Sequence, residues 1–286
     1  MPELPELAAV AAYLSDRTVG ETIAAVDATA FSVVKTYDPP LEALVGGEVI
    51  SVARHGKFLD IHADDVHLVL HLARAGWVRY SENLPSGRPK PSRSPLALRV
   101  KLTDGSGFDL TEAGTKKRLA AYVVRDPRDV DGVAALGIDP LSPDFTVDAL
   151  AGIVSGRRSQ IKGVLRDQKL IAGIGNAYSD EILHAATMSP FALASTLATE
   201  DVSRLHAAIV ETLTRSVARA ADVPLHRLKD SKRTGMRVHG RAGKTCIVCG
   251  GTVAEVSFAD SSLQYCPTCQ TGGKLLADRR MSRLLK

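Results

Sequence analysis

Residues 1–6 read Met-Pro-Glu-Leu-Pro-Glu, and the organisation of the whole chain is best understood from this stretch. If Met1 is removed, Pro2 carries a free secondary amine, and an α-amino group has a pKa of roughly 7.7–8.0. Pro5 is a favoured first helical residue, and the apolar residues after it recur at helical spacing. The amine would lie just ahead of a helix N-terminus, whose partial positive charge lowers its pKa.

Such an amine can attack an aldehyde-like carbon and form a Schiff base, as lysines do in covalent catalysis. Glu3 stands beside it as a carboxyl group that can donate or accept a proton. The same residues also fit a plain helix entry with acidic side chains on its first turn. The first six residues therefore leave catalysis and simple helix initiation open.

The composition narrows the class of protein. The chain has 286 residues, which allows two domains and a generous core, and its hydrophobic content of 45% is typical of soluble globular proteins. The N-terminus is acidic and lacks the basic region of a signal peptide, and no apolar run approaches the ~18 residues of a membrane span. We therefore expect a cytoplasmic location.

The net charge of +4 is unevenly distributed. Basic residues cluster at 116–118, 157–158, 227–233, 237, 241, 244 and 279–280. Scattered solvated charges explain any single cluster, but their sum is typical of a surface that follows phosphates. A nucleic-acid partner is the resulting expectation.

The four cysteines form two pairs, Cys246-x-x-Cys249 and Cys266-x-x-Cys269, separated by sixteen residues. This spacing predicts one structural Zn²⁺ ion in a tetrahedral four-thiolate site. Four free thiols or an iron–sulfur cluster are the alternatives. Residues 252–257 and 262–265 alternate as in a β-hairpin, so the sequence predicts a zinc-organised hairpin.

The secondary-structure pattern changes along the chain. Residues 1–135 contain short strands separated by Gly, Asp and Pro, which predicts a β-sandwich or barrel with the N-terminal helix packed on it. The predicted strands are Thr22–Val26, Glu48–Arg54, Phe58–Ile61, His67–Leu72, Ala97–Leu102 and Ala121–Val124. Residues 81–95 are rich in proline and predict a flexible loop, and 127–143 predicts a linker. Helices are then predicted at 159–171, at 178–186 and from Thr199 onward.

Two glycine-containing segments could carry function. Residues 171–176 read Ile-Ala-Gly-Ile-Gly-Asn, and Asn176 can start a helix whose N-terminus favours an anion. Arg157 and Lys162 on the preceding segment could add positive charge to this phosphate cradle. Lys57 follows Gly56 at a turn before a strand, where it could contact a phosphate or move a proton. Plain turn chemistry and an exposed lysine are the simpler interpretations.

Taken together, these motifs resemble the formamidopyrimidine-DNA glycosylase/endonuclease VIII family. The resemblance rests on residues 1–6, Gly56-Lys57, the stretch Asp-Gln…Gly-Ile-Gly-Asn-Ala-Tyr-Ser-Asp-Glu at 167–181 and His-Gly-Arg-Ala-Gly at 239–243. Leu4 resembles the formamidopyrimidine branch. The implied fold has an N-terminal β-sandwich domain (1–135), a helix–two-turns–helix DNA-binding domain (136–235) and a zinc finger with a basic tail (236–286). The implied protein is a nucleoid-associated monomer.

The resemblance also implies a reaction on double-stranded DNA that contains a damaged base or an abasic site. Pro2 would attack C1′ of a flipped nucleotide, Glu3 would protonate the sugar ring oxygen, and β-elimination would follow. Lys57 would assist as a proton donor or phosphate contact. Asn176, Arg157, Lys162 and zinc-finger residues would contact DNA phosphates.

Several positions depart from the family pattern. Arg74 stands where the family usually has a methionine wedge, and Arg118 is retained, but the aromatic residue after it is Leu119. Arg74 can still hydrogen-bond or stack on an orphaned base. Ser261 replaces the zinc-finger arginine that assists δ-elimination. We therefore expect weak δ-elimination and a doubtful preference for 8-oxoguanine.

Three functions follow in order of preference. The first is a bifunctional DNA glycosylase and abasic-site lyase of base excision repair. The second is a non-catalytic protein that binds damaged DNA on the same scaffold. The third is a zinc-ribbon protein associated with RNA, which would explain the basic C-terminal half but not residues 1–6.

Overall fold

The computed structural model of the protein describes residues 1–85, 87, 89, 95–258 and 261–277. Two units divide the chain. The sandwich unit comprises Met1–Leu136 and Val217–Lys229, and the helical unit comprises Gly137–Ser216 and Asp230–Lys286. The first division lies one residue from the predicted boundary at 135. The helical unit combines most of the predicted second domain with the zinc finger, so the boundary at 235 stays a prediction.

The sandwich unit contains two four-stranded antiparallel sheets. The strands are β1 (Ile23–Ala28), β2 (Val49–His55), β3 (Phe58–Ala63), β4 (Val66–His71), β5 (Gly76–Ser81), β6 (Leu96–Leu102), β7 (Gly107–Glu112) and β8 (Ala120–Val124). One sheet has the order β1-β6-β7-β5 and the other the order β2-β3-β4-β8. The predicted β-sandwich is confirmed.

A large apolar core fills much of the sandwich unit because alternate strand residues face inward. Leu59 and Ile61 of β3 lie in it with Leu98 of β6 and Leu110 of β7. Helix α1 (Leu4–Thr18) adds one apolar face, which includes the fully buried Leu14, and packs against β2 and β3. The N-terminal helix therefore lies on the sandwich, as the sequence predicts.

A later segment of chain also belongs to this core. Leu225 and Leu228 are buried among the sandwich residues, together with Ala220. Burying apolar side chains of this size stabilises the fold by roughly 1.5–3 kcal/mol each. The segment 217–229 is thus held in the sandwich unit by hydrophobic burial, although it follows the helical region in sequence.

The remaining helices are α2 (Asp131–Ala134), α3 (Val147–Val154), α4 (Ile161–Arg166), α5 (Asn176–Ala185), α6 (Thr199–Ala221), α7 (Leu228–Gly235) and α8 (Pro267–Thr271). Helix α6 begins at Thr199 as predicted, and its Leu205, Ile209 and Leu213 are fully buried. Strands β9 (Ala254–Ser257) and β10 (Ser262–Tyr265) form the predicted antiparallel hairpin.

Helix α4 is shorter than the predicted 159–171. Asp167 adopts an extended backbone conformation, and its carboxylate accepts a hydrogen bond from the Lys169 N–H at 3.0 Å. Such a local side-chain turn competes with helix continuation. The predicted linker at 127–143 contains a short 3₁₀ turn, Pro127–Asp129, and the four-residue helix α2.

Among the helices of the described residues, none combines the length and apolar character needed to cross a membrane.

Candidate active site and zinc centre

Pro2 and Glu3 lie immediately before helix α1 and are both buried, whereas Met1 is 45% exposed. Glu3 is the N-cap residue, and its backbone N–H donates to the Glu6 carboxylate at 2.8 Å. Glu6 therefore fixes the start of the helix and the backbone that carries Glu3. The start of helix α1 and the two buried residues Pro2 and Glu3 therefore lie at one place.

Lys57 lies in the two-residue turn between β2 and β3 and is only 8% exposed. Gly56 has a φ of +53°, a conformation that glycine adopts readily in a hairpin turn. The Arg54 guanidinium donates to the Gly56 carbonyl oxygen at 2.9 Å and holds the turn. Helix α1, which follows directly after Pro2 and Glu3, packs against both strands that flank the Lys57 turn.

His71, at the end of β4, is a neighbour that the sequence did not single out. Burial, and secondarily the positive charge of Lys57, hold the pKa of His71 below its ordinary value. Its ring also lies 4.9 Å from the ring of Phe58, the residue after Lys57. His71 is thus kept neutral beside the Lys57 ammonium.

Arg74 and Arg118 are both exposed, on the segments 72–75 and 113–119. Leu119, which follows Arg118, has a side chain that is only 2% exposed and belongs to the sandwich core. Burial of an aliphatic side chain in the core is favourable because it removes apolar surface from water. The two exposed side chains on these segments, Arg74 and Arg118, are therefore both cationic.

The glycine segment before α5 is braced by Gln168. Its amide oxygen accepts from the Gly173 N–H at 2.9 Å, and its amide nitrogen donates to the Ile174 carbonyl oxygen at 2.8 Å. Gly173 has a φ of +93°, which requires glycine. Helix α5 begins at Asn176, and the Asn176 amide donates to the Ser262 carbonyl oxygen at 2.7 Å. The helix start is tied directly to the zinc-finger hairpin.

Lys162 takes a different position from the one expected for a phosphate ligand. Its side chain is only 6% exposed, and its ammonium pairs with the fully buried Asp180 carboxylate at 2.5 Å. It also donates to the Ser179 hydroxyl at 2.7 Å and to the Asn176 carbonyl oxygen at 3.2 Å. These bonds give Lys162 a structural role that orients the start of α5. Arg157 remains exposed, and its Nε donates to the Ile153 carbonyl oxygen at 2.5 Å.

Two adjacent carboxylates of α5 connect it to the residues before the zinc site. Glu181 accepts hydrogen bonds from the backbone N–H groups of residues 237–239 at 2.7 to 2.9 Å. Asp180 accepts from the His239 ring at 2.7 Å and from the Gln264 N–H at 3.2 Å. The sequence contained these acids in a matching motif, but their partners lie more than fifty residues away.

The four cysteine sulfurs lie within 4.8 Å of one another. The sulfur atoms of Cys246 and Cys269 are 3.9 Å apart, and those of Cys249 and Cys266 are 3.4 Å apart. A tetrahedral zinc site with bonds of ~2.3 Å needs separations of about 3.8 Å. The Gly251 N–H, with further hydrogen bonds from the other thiols, lowers the pKa of Cys249 to about 7. This donor set fits one structural Zn²⁺ ion.

Replacing Cys266 with Ser should remove the metal. Because a structural zinc site supplies folding energy directly, three thiolates should not hold the ion or the hairpin. Zinc measured by atomic emission should fall from one ion per chain to nearly none. Ser261→Ala, in the same hairpin but with no thiol, should keep its zinc. Full zinc content in the Cys266 variant would contradict the four-cysteine site.

Comparisons with known proteins agree with this geometry. Residues 1–121 match the family described as the formamidopyrimidine-DNA glycosylase N-terminal domain, and residues 136–224 match the formamidopyrimidine-DNA glycosylase H2TH domain. The protein belongs to the formamidopyrimidine-DNA glycosylase family. Residues 243–272 match the zinc finger found in FPG and IleRS, which agrees with the four-sulfur cluster.

Full-length relatives support the family assignment. The formamidopyrimidine-DNA glycosylase of Symbiobacterium thermophilum is 34% identical over 98% of this chain and 93% of its own. An uncharacterised formamidopyrimidine-DNA glycosylase-like protein of Mycobacterium tuberculosis is 59% identical over 53% of this chain and 95% of its own. A zinc-ribbon protein associated with RNA, the third function considered from the sequence, would not explain the match of residues 1–121 to the glycosylase N-terminal domain.

A solved structure of a family member shows the same fold. The wild-type Lactococcus lactis FPG, in complex with DNA containing an oxidised pyrimidine, superposes with a TM-score of 0.82 at 26% identity. The match covers 94% of this chain and all of that one. The protein is therefore a DNA repair glycosylase family member with an N-terminal sandwich, an H2TH domain and a zinc finger.

Proposed function

We propose that this glycosylase family member is a bifunctional enzyme that excises oxidised bases and cleaves the DNA strand at the resulting abasic site. The observation that carries the proposal is the placement of Pro2 and Glu3 at the buried start of α1. That helix packs on the hairpin that bears Lys57. A protein that only binds DNA needs neither a reactive N-terminal amine nor a buried acid beside it.

The proposed reaction begins after removal of Met1 and extrusion of the damaged nucleotide. The lone pair of the Pro2 nitrogen forms a bond to C1′, the glycosidic bond breaks, and the base leaves with its bonding electrons and takes up the proton that the Pro2 nitrogen loses. Glu3 protonates the ring oxygen, so the sugar opens to an iminium ion. The iminium acidifies the C2′ hydrogens, and loss of one expels the 3′ phosphate by β-elimination. Lys57, an ammonium in the adjacent turn, supplies a proton or holds a phosphate.

The partner is double-stranded DNA with a damaged base or an abasic site. The DNA complex of the Lactococcus lactis relative supports this proposal. Arg157 and Asn176 contact phosphates, and Arg74 and Arg118 reach toward the gap left by the flipped nucleotide. Lys162 contributes indirectly, through its bonds to the start of α5. The enzyme acts as a monomer in the cytoplasm, on the nucleoid.

The products should be mainly those of β-elimination. Ser261 carries a neutral hydroxyl, and its carbonyl oxygen accepts from the Phe258 N–H at 2.7 Å. A neutral side chain at this position cannot form the charge-assisted hydrogen bonds to the remaining phosphate that a guanidinium forms. This proposal fails if 8-oxoguanine opposite cytosine is processed quickly with mainly δ-product.

A non-catalytic damage-binding protein is the second candidate, favoured by the altered residues Arg74 and Leu119. Borohydride trapping distinguishes the two functions, because it reduces the iminium to a stable amine. Incubation with abasic-site DNA and borohydride should give a covalent adduct, and peptide mass spectrometry should locate it at Pro2 with Met1 absent. Binding of the same DNA without an adduct would instead support the non-catalytic function.

A further inference from the structure

Arg74 and Arg118 are exposed residues that neighbouring segments of the sandwich unit carry. Strands β5 and β7 pair so that Gly76, the first residue of β5, lies opposite Glu112, the last residue of β7. Arg74 precedes Gly76 and Arg118 follows Glu112, so both segments leave the sheet at the same end. The Ala113 N–H donates to the Ala75 carbonyl oxygen at 3.3 Å and extends the pairing beyond the strands.

Glu112 organises the segment that carries Arg118. Its side chain is buried, and one carboxylate oxygen accepts from the Arg118 N–H at 2.7 Å and from the Leu119 N–H at 3.1 Å. The Lys117 ammonium also donates to the Glu112 carbonyl oxygen. Hydrogen bonds to a charged acceptor are stronger than those between neutral groups, so this carboxylate strongly restricts the backbone that bears Arg118.

The segment that carries Arg74 is fixed against the same place. The Gly76 N–H donates to the Leu72 carbonyl oxygen at 2.9 Å, which closes the turn. A Cβ atom at Gly76 would lie 2.2 Å from that oxygen and 3.1 Å from a methyl carbon of Leu119, so only glycine fits. The buried Leu119 side chain therefore packs directly against the base of the Arg74 turn.

We propose that Glu112 is a positioning residue that holds Arg74 and Arg118 together as one paired probe of the base opposite the flipped nucleotide. This inference rests on the proposed function insofar as it assumes an extruded nucleotide. A guanidinium only donates hydrogen bonds, so a fixed pair distinguishes orphaned bases by the number and placement of their acceptors. Free rotation of the Arg118 segment would erase that distinction while leaving phosphate contacts intact.

The test measures binding and so does not depend on catalysis. The full-length protein is titrated with duplexes that hold a tetrahydrofuran abasic analogue opposite each of the four bases, and with the same strand unpaired. The wild type should show a spread of affinities of about tenfold across the four bases, the size expected from one well-placed arginine contact. Glu112→Ala should collapse that spread and leave single-strand binding unchanged, and Arg118→Ala should collapse the spread as well.

Three further variants distinguish a positioning role of Glu112 from a general loss of protein structure. Glu112→Gln keeps a carbonyl acceptor and should restore most of the spread. Glu112→Asp withdraws the carboxylate by one methylene and should lose the spread of affinities. This variant provides the test if the alanine variant does not fold. Asp109 lies on the same strand as Glu112 and forms a partly buried ion pair with Arg99 of β6. Asp109→Asn weakens this ion pair and should behave as the wild type. The fluorescence of Trp77, in the strand paired with β7, reports folding of each variant.

The inference is overturned if Glu112→Ala keeps the wild-type spread or if the wild type binds all four duplexes equally. It is also overturned if both Glu112→Ala and Glu112→Asp weaken duplex and single-strand binding in parallel. A collapsed spread together with failed borohydride trapping of the wild type would uphold the positioning role of Glu112 and reject the lyase.

Discussion

Glu3→Gln should slow base release by about 10²–10⁴-fold, the usual contribution of a positioned general acid. Glutamine keeps the shape and the hydrogen-bonding capacity of Glu3 but has no proton to give to the sugar ring oxygen. At a preformed abasic site the sugar is already partly open, so this proton is not required there. The Glu3 variant should therefore still form a borohydride-trapped adduct with abasic DNA.

Two further variants, Pro2→Gly and Glu6→Gln, test whether the effect is specific to Glu3. Pro2→Gly removes the secondary amine and should abolish base release as well. Glu6→Gln lies in the same helical turn, is equally buried and keeps an acceptor for the Glu3 N–H, so it should retain activity. Release of an oxidised base from a labelled duplex in single-turnover reactions gives all three rates. Normal base release by Glu3→Gln would remove Glu3 from the mechanism.

Lys162→Met should destabilise the helical unit by about 3–5 kcal/mol, because it leaves the buried Asp180 charge without its cation. Asp180 is completely buried, and the remaining hydrogen bonds from His239 and Gln264 do not neutralise it. Arg215→Met breaks an exposed pair with Glu211, one helical turn away, and should have little effect.

The two units provide separate signals for this measurement. The chain has one tryptophan, Trp77, which lies in the sandwich unit, whereas the zinc site lies in the helical unit. In a urea titration, release of zinc to a colorimetric chelator should shift to lower urea in Lys162→Met, while the Trp77 transition should stay in place. Unchanged zinc release would show that the Lys162–Asp180 pair carries little of the stability of the helical unit.

The fold was largely predictable because its main elements have strong local patterns. Alternating apolar residues predicted six of the strands, and the apolar stripe from Thr199 predicted α6. Strands β5 and β7 were missed. Asp109 of β7, for example, lies in a strand only because it pairs with Arg99 of β6 at 2.7 Å, a contact between strands that local propensity does not contain.

The site was predictable where chemistry depends on residue type and spacing. The cysteine pairs predicted the zinc cluster, and Asn176 was predicted as a helix start. The burial of Lys162 was not predictable, since its partner Asp180 lies eighteen residues later and the pattern of charges does not reveal a buried pair. Leu119 likewise belongs to the core through contacts with distant strands, which a comparison of motifs cannot show.

The bond between the Asn176 amide and the Ser262 carbonyl oxygen has a physiological consequence. Ser262 is the first residue of β10, in the hairpin that the four-cysteine zinc site organises, so the start of α5 depends on metal supply. If the proposed function is correct, a cell short of zinc would accumulate protein whose sandwich unit, with Pro2 and Glu3, is folded but whose binding to the duplex is impaired. Repair capacity would then follow nutrient status rather than protein abundance.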